Sequence, residues 1–183
     1  MASFQDRVVG VLRLQAATFE DVEHDPTALS QSAIVVLAVA VAGIIASIGW
    51  GFYPGAATAT IVFGLIGWAV SSAVVWLVGT RLMPGKNTEA DYQQVLRVVG
   101  FAQAPGLIGV LGIIPFLGWI FRFVAWVWTL IALVIAVRQA LDYDDTIKAV
   151  LVCVIAWVIM FVAMAMVGIL GFGAAMAGSA MTP

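Results

Sequence analysis

Charge is what this chain has least of. Only 10% of its 183 residues are Asp, Glu, Lys or Arg, against about 25% in an ordinary soluble domain. Between Asp25 and Arg81 there is no charged residue at all, over 55 consecutive positions. Cysteine and histidine occur once each, as Cys153 and His24. One cysteine excludes an intrachain disulfide and a cysteine-based metal cluster. Cys153 sits inside an apolar run, where it reads as packing. One histidine leaves no second imidazole to share a metal, so His24 reads as an interfacial polar residue. No Asp or Glu falls in any long apolar stretch, and a proton or cation path through a membrane usually needs one. Paired catalytic carboxylates, a histidine-containing triad and metal-ligand spacings are missing too. The expectation is a non-enzyme with no catalytic residues, no cofactor and no metal. The formal charge of −2, with Lys and Arg scattered, gives no nucleic-acid footprint. The N-terminus carries Asp6, Arg7 and Arg13 and no early apolar core. That excludes a cleavable signal peptide, and the first crossing serves as the insertion signal.

What is present is hydrocarbon. The chain is 63% hydrophobic, with a mean hydropathy of +1.11. A bilayer core about 30 Å thick takes roughly 20 helical residues per crossing. Backbone polar groups there must be satisfied internally, which leaves helices or closed barrels. Barrel strands would alternate apolar and polar, whereas runs such as 34–45 and 150–167 are continuously apolar. The fold class expected is an all-α membrane protein: five transmembrane helices behind an N-terminal amphipathic cytoplasmic helix. The crossings fall at about 30–50, 57–82, 98–114, 119–137 and 147–170. Residues 1–29 form a cytoplasmic segment and 171–183 a small-residue tail that extends the last helix or frays.

Residues 3–23 read as one amphipathic helix, with Phe4, Val8, Val11, Phe19 and Val22 near helical spacing. Such a helix either lies in the headgroup region or folds against the bundle. Asp25-Pro26 reads as the start of the first span. Trp50 and the segment 51–55 read as an interfacial turn. Thr88 with Asp91 resembles a capping pattern opening a short polar helix, 89–97, ahead of the third span. Pro105, Pro115 and glycines at 106, 109, 112 and 118 make that span irregular, with a kink near Pro105.

Few residues in the spans carry chemistry. Asp142, Asp144 and Asp145 form the acidic cluster, read either as a weak cation site or as caps and a solvated loop. Arg122 snorkels to the interface or holds a lipid phosphate or an anionic substrate. Arg97, Arg122 and Arg138 are candidate lipid headgroup contacts. Ala38, Ala42 and Ala46, and again Ala132, Ala136 and Ala140, make small-residue stripes at four-residue spacing. Such stripes let helices approach closely in lipid. They serve the protein's own bundle or an interface with itself or another membrane protein. Seven of the eight basic residues fall on one side of a five-span chain. Basic residues in short loops favour the cytoplasm, which places the N-terminus inside and the C-terminus outside.

Several segments together resemble a known family. They are Thr18-Phe19-Glu20-Asp21-Val22 followed by Asp25-Pro26, the run 99–105 with Gly100, Phe101 and Pro105, and the run 130–138 leading into an acidic loop and Thr146-Ile147-Lys148-Ala149. They resemble the Yip1 domain family in its bacterial form, over about residues 15–165. The resemblance implies five spans, a cytosolic N-terminus and residence in a bacterial inner membrane. Eukaryotic members act in vesicle traffic and bind Rab-type GTPases through a longer N-terminal region with a Tyr-Gly-Pro type motif. That region is lacking here, and the family's Gly-Tyr near the third span reads Gly100-Phe101, so GTPase binding is not carried over. The expected role is a membrane scaffold or accessory subunit whose partners are the bilayer and membrane proteins. The alternative is permeation of a neutral or lipid-like solute along the third span.

Overall fold

The computed structural model describes the backbone of residues 2–48, 54–86 and 88–180. Helices are α1 (Phe4–Leu12), α2 (Ala16–His24), α3 (Ala28–Ser47), α4 (Pro54–Leu77), α5 (Tyr92–Phe101), α6 (Gly118–Ala140) and α7 (Thr146–Ala180). A π-helical turn, Val78–Leu82, ends α4, and a 3-10 segment, Ala104–Ile113, continues α5. Among the described residues there is no strand. Five stretches are long and apolar enough to cross a membrane: Ala28–Ser47, Gly55–Leu82, Tyr92–Ile113, Gly118–Ala140 and Thr146–Ile169. Of the expected turn at 51–55, residues 51–53 and their neighbour Trp50 lie outside the described residues, as does 181–183, while 54 and 55 already belong to α4.

The third span is the axis of the bundle. Half of its apolar stretch is buried, against 17–28% for the other four. It touches α3 and α6 along its length and α4 over its first half. The outward faces of the other spans stay apolar because lipid tails solvate them as well as leucine would. The third span begins six residues earlier than the sequence suggests. The polar stretch expected as a separate helix is its first turns, and α5 runs unbroken from Tyr92. The cap is Asp91 rather than Thr88. Asp91 Oδ1 accepts the Gln94 N–H at 2.8 Å, and Gln94 Oε1 accepts the Asp91 N–H at 2.6 Å, a reciprocal capping box. Thr88 instead donates its hydroxyl to the Leu141 carbonyl at 2.6 Å.

At residues 102–104 the α-helix gives way. Pro105 has no N–H to offer the preceding turn, and Gln103 N bonds the Gly100 carbonyl, a three-residue step. The following ten residues are wound 3-10, a length uncommon for that helix. The glycines explain it. With three residues per turn, Gly106, Gly109 and Gly112 eclipse along one face. A smooth ridge results. α3 closes on it at Gly106, where a Cβ would meet Val39 at 2.8 Å, and α3 and α6 meet it again at Gly112 through Ala46 and Arg122, while a Cβ on Gly109 would meet nothing within 4 Å.

The single N-terminal helix expected over 3–23 is two helices. α1 ends in a Schellman motif: Gln15 N bonds the Gly10 carbonyl and Leu14 N the Val11 carbonyl, with Leu14 at φ 57°. The chain reverses there, so α2 lies against α5 and α6. Val11, Phe19 and Val22 are fully buried. Their apolar face is satisfied by protein, not by headgroups.

Candidate functional site

The start of the third span is densely bonded to its neighbours. Side chains of two neighbouring elements, α3 and α4, bond to the backbone there. Ser32 Oγ on α3 shares its proton between the Ala28 and Arg97 carbonyls, at 2.9 and 2.8 Å. Trp68 Nε1 on α4 donates to the Leu96 carbonyl at 2.9 Å, and Trp76 Nε1 to the Ala90 carbonyl at 3.0 Å. Tyr92 returns a bond from its hydroxyl to the Ala69 carbonyl at 3.0 Å. Gly100 sits where Ser32 and Trp68 converge. A Cβ there would lie 2.7 Å from the Ser32 Cβ and 3.0 Å from Trp68 Nε1. Phe101 is fully buried and meets Phe4 of α1 edge-on, with centroids 6.2 Å apart. Gly100, Phe101 and Pro105, singled out from sequence, therefore stand together at the hinge between the two helix types.

The N-terminal cap is fastened to this hinge by buried charge. Arg7, 1% exposed, donates to Asp21 at 2.7 Å, Asp25 at 2.6 Å and Gln31 at 3.0 Å. Burial alone would lower the guanidinium's pKa, but Asp21 and Asp25 hold it above its ordinary value. Asp25 is held down to about 2 by the Thr27 hydroxyl and by Arg7. Its other oxygen accepts the Thr27 N–H at 2.9 Å, so it organises the turn before α3, which starts at Ala28. Arg97, 5% exposed, binds the Glu23 carbonyl through Nε at 3.2 Å and Nη2 at 2.5 Å. It is turned inward rather than toward lipid headgroups. The Glu23 carboxyl is also buried, and desolvation pushes it up to about 7.

Deeper in the bundle, a cavity of about 190 Å³ opens between α4, the hinge, α6 and α7. Its polar lining is Ser71, Gln103 and Thr129. Ser71 donates to the Trp68 carbonyl at 3.1 Å. The Gln103 amide makes no side-chain hydrogen bond among the described residues. Leu130, Leu133, Cys153 and Trp157 also line an apolar groove of about 470 Å³ between α6 and α7. The cavity thus adjoins a lateral opening to the hydrocarbon.

The remaining residues singled out from sequence fall as follows. Ala132, Ala136 and Ala140 are fully buried inside the bundle, Ala42 and Ala46 nearly so, and Ala38 is half-buried. Arg138 is exposed and donates to the Tyr143 and Asp144 carbonyls, both at 3.2 Å. Arg122 is exposed at the opposite end of the bundle. In the acidic loop, Asp145 caps α7 by accepting the Ile147 N–H at 2.9 Å. No group of acidic, histidine or cysteine side chains among the described residues is placed to hold a metal. Trp126 and Trp157 pack on each other, centroids 5.8 Å apart.

Sequence reading missed Arg7, Glu23 and Tyr143 as structural centres. Arg7 and Glu23 looked like solvated charges because the reversal at Leu14 has no glycine or proline to announce it. Tyr143 lies between three aspartates, yet it is 5% exposed. Its hydroxyl stitches the loop to the π-turn through the Met83 and Gly79 carbonyls, at 2.7 and 3.1 Å.

The family model of the Yip1 domain matches residues 9–167. No curated protein and no solved structure matches the chain. The chain is an integral membrane protein and belongs to the Yip1 domain family.

Proposed function

We propose that this Yip1 family member works as a non-catalytic scaffold or accessory subunit, joining itself or other integral membrane proteins through its helix faces. One observation supports this above others. The buried charges and tryptophan N–H groups at the hinge are engaged in holding the bundle together, while broad apolar helix faces point outward. On α7, Val154, Val158 and Phe161 are 52%, 57% and 77% exposed. Of the two alanine stripes, Ala38 is the position a partner helix reaches most readily. The charge asymmetry supports a cytoplasmic N-terminus, and the family resemblance a bacterial inner membrane. Crosslinking in native membranes, followed by purification in mild detergent, tests the reading. A higher-order species is expected, and a lone monomer under every mild condition overturns it.

A second reading is passage of a neutral or lipid-like solute. It is favoured by the Gln103 cavity and its opening beside α6 and α7. An amphiphile would present a hydroxyl or carbonyl to Gln103 and Thr129 and leave its tail in the apolar groove. Replacing both (Gln103→Leu with Thr129→Val) should abolish flux in vesicles while the protein stays folded. Unchanged flux removes this reading.

A further inference from the structure

We infer that the groove between α3, the 3-10 segment and α6, at the end remote from the N-terminal cap, holds one anionic phospholipid. Its phosphate sits on Arg122 and an acyl chain lies over Gly43 and Gly109.

The charge distribution comes first. All ten acidic residues and seven of the eight basic ones belong to the N-terminal segment and to the loops and helix ends at the cap side of the bundle. Arg122 is the exception. It stands one turn into α6, where the chain has just crossed from the 3-10 segment. The sequence holds no Asp or Glu from 26 to 88, from 92 to 141, or after 145. Arg122 makes no hydrogen bond or ion pair among the described residues. A guanidinium at a membrane boundary with no counter-charge among the described residues has one abundant partner there, a lipid phosphate, which it can bind in bidentate fashion.

The geometry makes this a built place rather than a free side chain reaching for solvent. The Arg122 stem lies flat across Gly112: Nε is 2.8 Å and Cγ 3.2 Å from where a Cβ on that glycine would be. Beside it runs an open groove of about 260 Å³, lined by Val39, Gly43, Gly109, Arg122, Trp126 and Thr129 among others. A Cβ on Gly43 or Gly109 would meet nothing within 4 Å. These two glycines therefore leave a channel that no helix among the described residues fills. The walls are apolar and the mouth is cationic. An occupant needs an anion at one end and hydrocarbon behind it, which a phospholipid has. A free phosphate leaves the apolar bed bare. A protein helix could pack on the glycines but would have to bring a carboxylate to the membrane boundary to meet Arg122.

The test is native mass spectrometry of the full chain, released from non-ionic detergent and titrated with dioleoyl phosphatidylglycerol. The controls are dioleoylglycerol, which lacks the phosphate, and inorganic phosphate, which lacks the chains. One saturable phosphatidylglycerol is expected. Arg122→Gln should weaken it about tenfold, the loss expected for one charge-assisted bond, and Arg122→Lys should restore part. Gly43→Leu and Gly109→Leu should each weaken it with Arg122 intact. Gly43 is the safer variant for folding, since it lies on the exposed face of α3. Dioleoylglycerol should bind no better to the wild type than to Arg122→Gln. Phosphatidylglycerol binding that is equal in the wild type and Arg122→Gln, or unaffected by either leucine, overturns the proposal. Displacement by inorganic phosphate also overturns it, by leaving a bare anion site.

Discussion

Ser32 on α3 and Gly100 on α5 stand so close that a single methyl group on Gly100 would come within 2.7 Å of the Ser32 Cβ. The Ser32 hydroxyl reaches past that glycine to the Arg97 carbonyl. The two helices touch backbone to side chain, and everything at the hinge is placed by that approach.

Gly100→Val should therefore destabilise the bundle by about 1–3 kcal/mol, the usual cost of overpacking. Ser32→Gly should recover only part of it, because Trp68 Nε1 crowds the same position. Thermal unfolding in detergent, followed by circular dichroism, measures both.

Arg7→Leu should cost more, about 3–5 kcal/mol, because it strands the buried Asp25 carboxylate without its partner. Adding Asp25→Asn should return a large part of the loss. Limited proteolysis between α2 and α3 reports the loosened cap, and thermal unfolding gives the magnitude.

The cap should also respond to pH, in two windows of opposite sign. The folded-state pKa of Glu23 is raised, from about 4.5 to about 7. The folded form therefore holds its proton more tightly than the unfolded chain. This stabilisation is full below pH 4.5 and is lost as pH rises to about 7. The charged groups facing Glu23 are Glu20 and Asp142, which raise it, and His24 and Arg97, which lower it. His24, itself raised by its bond to the Glu20 carbonyl, contributes with the same sign. Asp25 acts the other way. Its pKa falls from 3.8 to about 2, so its contribution is present above 3.8 and disappears as pH drops toward 2. Unfolding measured from pH 5 to 8 should show decreasing stability, and Glu23→Gln should remove most of that slope. A slope unchanged by Glu23→Gln would refute the assignment.

Tyr143→Phe should cost about 1 kcal/mol, the net worth of a neutral hydrogen bond. The effect should concentrate at the end of α4, where Gly79 and Met83 lose their partner. Amide exchange over Val78–Leu82 is the measurement. Faster exchange is expected there, with α3 unaffected.

The five crossings were legible because each needs only length and apolarity, and the absence of charge from 26 to 80 leaves no other medium. The hinge was legible at Pro105, since a missing N–H is written in the residue itself. The 3-10 winding beyond it was not foreseen, although glycine at every third position from 106 to 112 carries that period. Burial of Arg7, Glu23 and Arg97 could not be read. Each has the composition of a surface charge, and only the reversal at Leu14, a leucine in a glycine's conformation, brings them inward. The 190 Å³ cavity depends on how four helices diverge around Gln103, a property that no single segment encodes.

The winding of Ala104–Ile113 also sets a ruler. Ten residues rise about 20 Å as a 3-10 helix and about 15 Å as an α-helix. Rewinding would shorten this segment by about a quarter and fan its three glycines around the axis, erasing the ridge. Helices that mismatch the local hydrocarbon thickness ordinarily tilt or distort the bilayer. A change of pitch in this segment would be a different accommodation, by which thin and thick membranes would select different shapes of the same protein.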